Sequence, residues 1–183
     1  ATVQSIATQT LRNAGTVAEA RVALEERLFA LSRAHDVLTR ENWESADLRE
    51  IVDEALAPYR HAREKRLHAE GPVVRLSPRM ALAIAMALQE LATNAVKYGA
   101  LSNDTGEVSV RWSVTGEDGP HLHLVWTETG GPPVTAPSRR GFGTRLIERS
   151  LAHDLNGRAK IGFTPAGVVC TVDAPLETGH GGS

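Results

Sequence analysis

Residues 88–101 read Leu88-Gln89-Glu90-Leu91-Ala92-Thr93-Asn94-Ala95-Val96-Lys97-Tyr98-Gly99-Ala100-Leu101. They close a strongly helical pattern that begins near Ser77-Pro78, a pair suited to an N-cap and first turn. Gly99 is a natural stop. Glu90, Asn94, Lys97 and Tyr98 stand at i, i+4, i+7 and i+8, so they share one face. Leu88, Leu91, Ala92 and Ala95 make the apolar face beside it. A carboxylate, an amide and an ammonium on one stripe suit a site for metal and phosphate. An Asn oxygen can ligate a hard cation such as magnesium, and a Lys answers phosphate. The same stripe also fits a half-exposed amphipathic helix with a solvated polar face.

Downstream, Val108, Val110, Trp112 and Val114 alternate with polar residues, the period of a half-buried strand. Gly116 to Pro120 turns the chain. Leu122, Leu124 and Trp126 then alternate again, and the next inward position is Glu128. A carboxylate on a core face is costly unless a donor meets it. A ligand's exocyclic amine would serve; a frayed strand end with Glu128 in water is the other reading. Gly130-Gly131-Pro132-Pro133 opens a loop that holds Arg139 and Arg140 and ends at Gly141-Phe142-Gly143-Thr144. Its composition predicts that residues 130–143 move without ligand and order with it. A helix starts there, with Leu146, Ile147, Ser150, Leu151 and Leu155 facing inward and Asn156-Gly157 as its stop. Glycines leading into a helix N-terminus form an anion site, because free amides and the helix dipole both point at it. Two strands close the chain, one with Ile161 and Phe163, the other running from Val168 to Val172.

Upstream, residues 1–13 read as a helix with Val3, Ile6, Ala7 and Leu11 on one side, broken at Asn13-Ala14-Gly15. Thr16 and Glu19 fit a capping box. The helix that follows carries Leu24, Leu28, Leu31, His35 and Leu38, a narrow coiled-coil-like seam. The two helices make a hairpin too thin to bury much alone, so it pairs with a second copy or with the domain that follows. His35-Asp36 could be a phosphate acceptor, but its place in the seam favours packing. Trp43 to Ala46 reads as a linker, and Asp47 with Glu50 starts a helix ending at Pro58-Tyr59. Residues 66–69 and 73–76 flank Gly71-Pro72, which suggests a short hairpin.

The near-balanced net charge of −2 gives no general case for nucleic acid or an anionic membrane. No apolar run in these 183 residues is long enough to span a bilayer or reads as a signal peptide. The single Cys170 excludes an internal disulfide and fits a reducing, cytoplasmic compartment. The chain opens on Ala-Thr-Val inside a helical pattern, which implies further sequence upstream.

The element order predicts an α+β fold: a helical hairpin, then a two-layer α/β sandwich with helices on one face of a mixed sheet. The Glu/Asn helix, Glu128, the Gly-rich loop and the Gly-x-Gly helix start then converge on one pocket. Residues 1–45 would be the hairpin region, 46–176 the second domain and 177–183 a disordered tail.

These stretches resemble a known family. Glu90-x-x-x-Asn94-x-x-Lys97-Tyr98 resembles the N-box of the Bergerat ATP-binding fold of sensor histidine kinases, gyrase, heat-shock protein 90 and MutL-type proteins. Trp126-Thr127-Glu128-Thr129-Gly130-Gly131-Pro132 is similar to the G1 box of the HWE histidine kinases, which carry Trp-x-Glu there. Residues 140–149 look like that group's G2 box, and 31–38 with 43–48 like its dimerisation region. The resemblance covers the chain to about Leu176.

The resemblance implies ATP and magnesium as cofactors. Asn94 would hold magnesium, and Glu90 would orient or deprotonate water or the acceptor. Glu128 would take the adenine amine and Gly130 would let the base approach. Lys97 would contact phosphate, Arg140, Gly141, Gly143 and Thr144 would close over the triphosphate, and Tyr98 would line the pocket. Gln89 departs from the group, whose name-giving His precedes the N-box Glu; Gln cannot titrate in the physiological range. The acceptor His of the group would fall just upstream of Ala1. The implied protein is a sensor kinase that phosphorylates that His and passes the phosphoryl group to a response regulator receiver domain. It would form a homodimer through residues 1–45 and carry an upstream sensor domain. A Bergerat-fold protein Ser kinase of anti-sigma type, or a nucleotide-gated dimerisation module without catalysis, are the alternatives.

Overall fold

The computed structural model describes residues 2–60, 64–116, 119–134 and 142–176. Helix α1 (Thr2–Asn13) and helix α2 (Val17–Arg40) form the expected hairpin. The capping box at its bend is present: Glu19 N–H donates to Thr16 Oγ1, and Thr16 N–H donates to the Glu19 carboxylate, both at 3.2 Å. Two of the four orphan amides of the helix start are thereby satisfied.

A short strand β1 (Ala46–Asp47) leads into helix α3 (Leu48–Arg60), where Arg49 N–H donates to Asp47 Oδ1 at 2.7 Å. Strands β2 (Leu67–Glu70) and β3 (Arg75–Leu76) precede helix α4 (Pro78–Lys97), the helix expected from residue 78 to 98. Strands β4 (Glu107–Thr115) and β5 (His121–Thr129) follow. A helical rod then runs from α5 (Phe142–Arg145) through π-helical turns (Leu146–Leu151) into α6 (Ala152–Asp154). Strands β6 (Arg158–Thr164) and β7 (Gly167–Pro175) end the fold.

The main sheet has the order β2-β4-β5-β7-β6 and is mixed, because β2 runs parallel to β4 while the other pairs are antiparallel. A parallel pair needs a long crossover, and α4 supplies it. Val108, Val110 and Trp112 of β4 and Leu122, Leu124 and Trp126 of β5 are buried, as their alternation requires. They meet Leu88, Leu91, Ala92 and Ala95 of α4 and Ile147, Leu151 and Leu155 of the rod in one core. Helices on one face of a mixed sheet give the α+β sandwich expected.

Several expectations are corrected. Residues 66–76 form no hairpin: β2 pairs with β4, and β3 pairs antiparallel with β1. Two-residue strands carry too little pattern to declare a partner, and long-range pairing decides. Helix α3 runs through Pro58 to Arg60, one residue past the expected end at Pro58-Tyr59. The Leu seam of α2 is buried only in part: Leu38 is buried and Leu24 and Leu31 are half-buried. Ala20, Arg27, Ala30, Ala34, Val37 and Leu38 are buried, whereas Leu28 is 38% exposed and His35 is exposed. His35 sits edge-on to Trp43 with ring centroids 4.6 Å apart and meets Thr39, so its packing is at the surface. In α1, Ile6 is buried but Val3 and Leu11 are exposed. The helix pairs through Ile6 with Ala30 and Met86, a small cluster separate from the main core. Ser77 precedes α4 with extended backbone, but its hydroxyl makes no capping bond.

The hairpin packs on the sandwich of its own chain. Ala34, Val37 and Leu38 of α2 belong to the same core as Leu48, Ile51 and Leu56 of α3. The small Ala residues let α2 approach α4 closely.

Candidate functional site

Helix α4 builds one wall of the site. It is buried around nearly its whole circumference, from Met80 to Ala95, with the sheet on one side and α2 and α3 on others. Gln89 and Glu90 are therefore buried too, at 3% and 7% exposure. Buried polar groups at a helix interface need partners. Glu90 finds its partner on α2: Arg27 Nε donates to Glu90 Oε1 at 2.6 Å and Nη2 to Oε2 at 3.0 Å. Arg27 Nη1 also donates to Thr10 Oγ1 of α1 at 2.9 Å. One buried guanidinium thus ties together three helices.

Gln89 is matched at both ends of its amide. It accepts from Arg33 Nη2 at 3.2 Å and donates to Tyr59 Oη at 2.7 Å and to Thr93 Oγ1 at 3.1 Å. Tyr59 and Thr93 also share a hydrogen bond at 3.0 Å. Burial pushes the Tyr59 phenol up from its ordinary range, partly offset by these bonds. A neutral amide with one acceptor and one donor end is what this position demands.

Glu128 is buried at 2% exposure on the core face of β5, as the alternation predicts. The frayed-end reading is thereby overturned. Its donors come from the protein: Ala100 N–H donates to Oε2 at 2.9 Å and Trp126 Nε1 to Oε1 at 3.1 Å. The carboxylate is thus hydrogen-bonded without any ligand. Burial raises its proton affinity, and the two hydrogen bonds oppose that shift. Gly99 is required beside it, because a Cβ there would collide with Glu128 Oε2.

These residues line one cavity of about 620 Å³. Glu90, Asn94, Lys97, Tyr98, Gly99, Glu128, Gly143 and Thr144 all contribute to its wall. Gly143 lies against the α4 stripe: a Cβ there would stand 3.1 Å from Glu90 Oε2 and 3.4 Å from Asn94 Nδ2. The helix start and the stripe thus meet, as the convergence requires. Thr144 is buried and Lys97 exposed, and Tyr98 keeps 74% of its surface in solvent. Gly130 stands at the end of β5, outside this wall, and its carbonyl accepts from Asn103 Nδ2 at 3.0 Å. Arg140 and Gly141, with residues 135–139 of the loop expected to move, lie outside the described residues. Ile161, Phe163 and Val168 give the cavity an apolar end near Glu128. The hairpin supplies its other end through Thr10, Gly15, Glu19 and Arg27.

Arg27 was not visible as a site residue in the sequence. The line Ala20, Arg27, Ala30, Ala34 has helical spacing, and an Arg within a small-residue face was the available signal. Cys170 is buried, and burial pushes its thiol up to about 12, which makes it a poor nucleophile. Among the described residues no group of three or more His, Cys, Asp or Glu side chains could hold a metal ion. No helix among them is long and apolar enough to cross a membrane.

The sequence pattern of the HWE histidine kinases matches residues 1–73. A blue-light-activated histidine kinase of Brucella ovis is 44% identical over 177 residues, 96% of this chain and 36% of that protein. The chain therefore spans about a third of the length of the relatives it matches. In fold, it is similar to the histidine kinase domain of the Erythrobacter litoralis blue-light activated histidine kinase, with a TM-score of 0.62 at 14% identity, covering 96% of this chain and 94% of that one. The catalytic domain of the histidine kinase ThkA matches with a TM-score of 0.54 at 15% identity, over 72% of this chain and 95% of that domain. The sandwich is thus of the Bergerat type.

Proposed function

The chain belongs to the HWE histidine kinases, and from that premise we propose that its cavity binds ATP with magnesium and serves protein-histidine phosphorylation. The observation that carries this reading is the meeting of Glu90, Asn94, Glu128, Gly143 and Thr144 around one cavity. The adenine would lie at the apolar end, its amine toward Glu128, which already holds two internal donors and has acceptor capacity left. The phosphates would run along α4 toward the Gly143-Thr144 helix start, with Lys97 in reach of them.

Asn94 suits magnesium. It is an oxygen donor on the cavity wall, and that ion binds through few protein ligands together with substrate phosphates. Bound there, the ion would neutralise charge on the phosphates. Glu90 would take or orient the proton of the acceptor, and the buried wall would exclude water. Catalysis of this kind is mostly positioning and charge stabilisation.

The acceptor would be a His upstream of Ala1, with onward transfer to a receiver-domain Asp of a response regulator. Residues 1–45 would serve dimerisation, residues 46–176 would bind nucleotide, and the protein would act in the cytoplasm. Incubation of a polypeptide extended upstream of Ala1 with labelled ATP tests the proposal. Acid-labile label is the expected result. Acid-stable label would mean a Ser kinase, and no label a binding module.

A further inference from the structure

The geometry of Arg27 goes beyond that reading and rests on it. Arg27 belongs to the hairpin, yet its guanidinium lies in the wall of the cavity, within hydrogen-bonding distance of both Glu90 oxygens. The pair is nearly dry: the side chains are 10% and 9% exposed. The cavity runs along α4 from Gly99, beside Glu128, to Glu90. The seven residues of helix rise from Glu90 to Lys97 cover about 11 Å, at ~1.5 Å each, and Tyr98 and Gly99 lie beyond them. A nucleotide whose base sits by Glu128 therefore brings only its outermost phosphate to Glu90.

That arrival meets a problem of charge. A terminal phosphate beside a buried carboxylate places like charges together where screening is weak. A cation between them removes the repulsion. Lys97 lies seven residues from Glu90, toward the Gly99 end of α4. Arg27 is already at Glu90. A guanidinium grips phosphate in the same forked geometry in which it grips carboxylate.

We propose that Arg27 is the residue that senses the terminal phosphate: it shares or exchanges Glu90 for that phosphate, and so makes the site favour a nucleoside triphosphate over a diphosphate. A diphosphate stops short of Glu90 and leaves the pair as it stands. The hairpin is then a part of the nucleotide site.

The test measures ATP and ADP affinities, each with magnesium, for the 183-residue chain and four variants. Arg27→Gln is expected to weaken ATP about tenfold or more, the worth of a charge-assisted contact, with ADP changed less than about twofold. Glu90→Gln is expected to act in the opposite direction, strengthening ATP and leaving ADP alone. Arg27→Lys should recover part of the ATP loss. The double variant Arg27→Gln with Glu90→Gln buries no unpaired charge, so it guards against misfolding. Relative to Glu90→Gln alone, it should show a lower preference for ATP. If the variants shift ATP and ADP equally, or shift neither, the pair is structural and the inference falls alone. If the parent chain binds neither nucleotide, the kinase reading falls with it.

Discussion

Asn94 and Glu128 face the same cavity for different reasons. Asn94 lies where α4 leaves the core, half-buried, with Gly143 against its amide. Asn94→Ala removes an oxygen ligand and little packing. Magnesium-dependent ATP affinity should fall at least about tenfold, while the thermal midpoint moves by less than about 3 °C. Calorimetry with an unchanged affinity in magnesium would contradict the metal role. Glu128 is a buried anion with two donors. Glu128→Gln turns one acceptor into a donor that faces the adenine amine, so ATP should weaken by ~1–3 kcal/mol. GTP should suffer less, because guanine carries a carbonyl where adenine has its amine. Equal losses for both would make Glu128 a structural residue. The same variant tests the titration. The folded-state pKa of Glu128 is raised above 4.5, so its contribution favours the fold most at low pH and is lost as pH rises through the folded value. The stability of the parent relative to Glu128→Gln should therefore decline as pH climbs from about 4.5 toward neutrality, read from urea midpoints at each pH. These two residues were legible because each stands on a regular element whose period fixes its direction. Arg27 was not, because its partner lies 63 residues away and no local pattern joins them.

Regular elements were legible in proportion to their length and their patterning. Helix α4 and strands β4 and β5 carry enough turns or alternations to declare both type and inward face. The pair β1 and β3 has two residues in each strand, and its existence depends on where α3 and α4 place it. In α2, leucines drew attention to one face, yet the alanines of the next face are buried, because close approach to α4 outweighs side-chain size. Local chemistry at element ends was a mixed signal: the cap at Thr16 formed and the one at Ser77 did not. The capping box at Thr16 is exposed and independent of packing, so Thr16→Ala should cost about 1 kcal/mol in urea unfolding. No change would mean that the end of α2 frays in solution. Gly99 tests the opposite situation, an end fixed by a tertiary neighbour. Gly99→Ala drives a methyl into the Glu128 carboxylate. It should destabilise by about 1–3 kcal/mol and weaken ATP in parallel. A stable variant with parent-like ATP binding would show that Glu128 can move aside freely.

Across the whole molecule, the hairpin is held in two different ways along its length. The C-terminal end of α2 is built into the main core through Ala34, Val37 and Leu38. The half nearest the bend rests on the Ile6, Ala30 and Met86 cluster and on the Arg27–Glu90 pair. A small apolar cluster and one buried ion pair resist separation less than a continuous core does, since a buried pair gains little over its desolvation cost. This half of the hairpin should therefore open locally at lower free energy than the sheet. Amides of residues 18–30 should exchange faster than those of β4, β5 and β7 in the parent chain. Ala30→Glu buries an unpaired carboxylate in the small cluster, a cost of several kcal/mol. It should speed exchange throughout residues 2–30 and leave the sheet amides unchanged. It should also remove the hairpin wall of the cavity, and with it the preference for ATP over ADP. If the sheet amides accelerate along with the hairpin, the two parts unfold as one cooperative unit. The hairpin then cannot leave the nucleotide site without loss of the fold, and any movement of Arg27 is confined to its side chain.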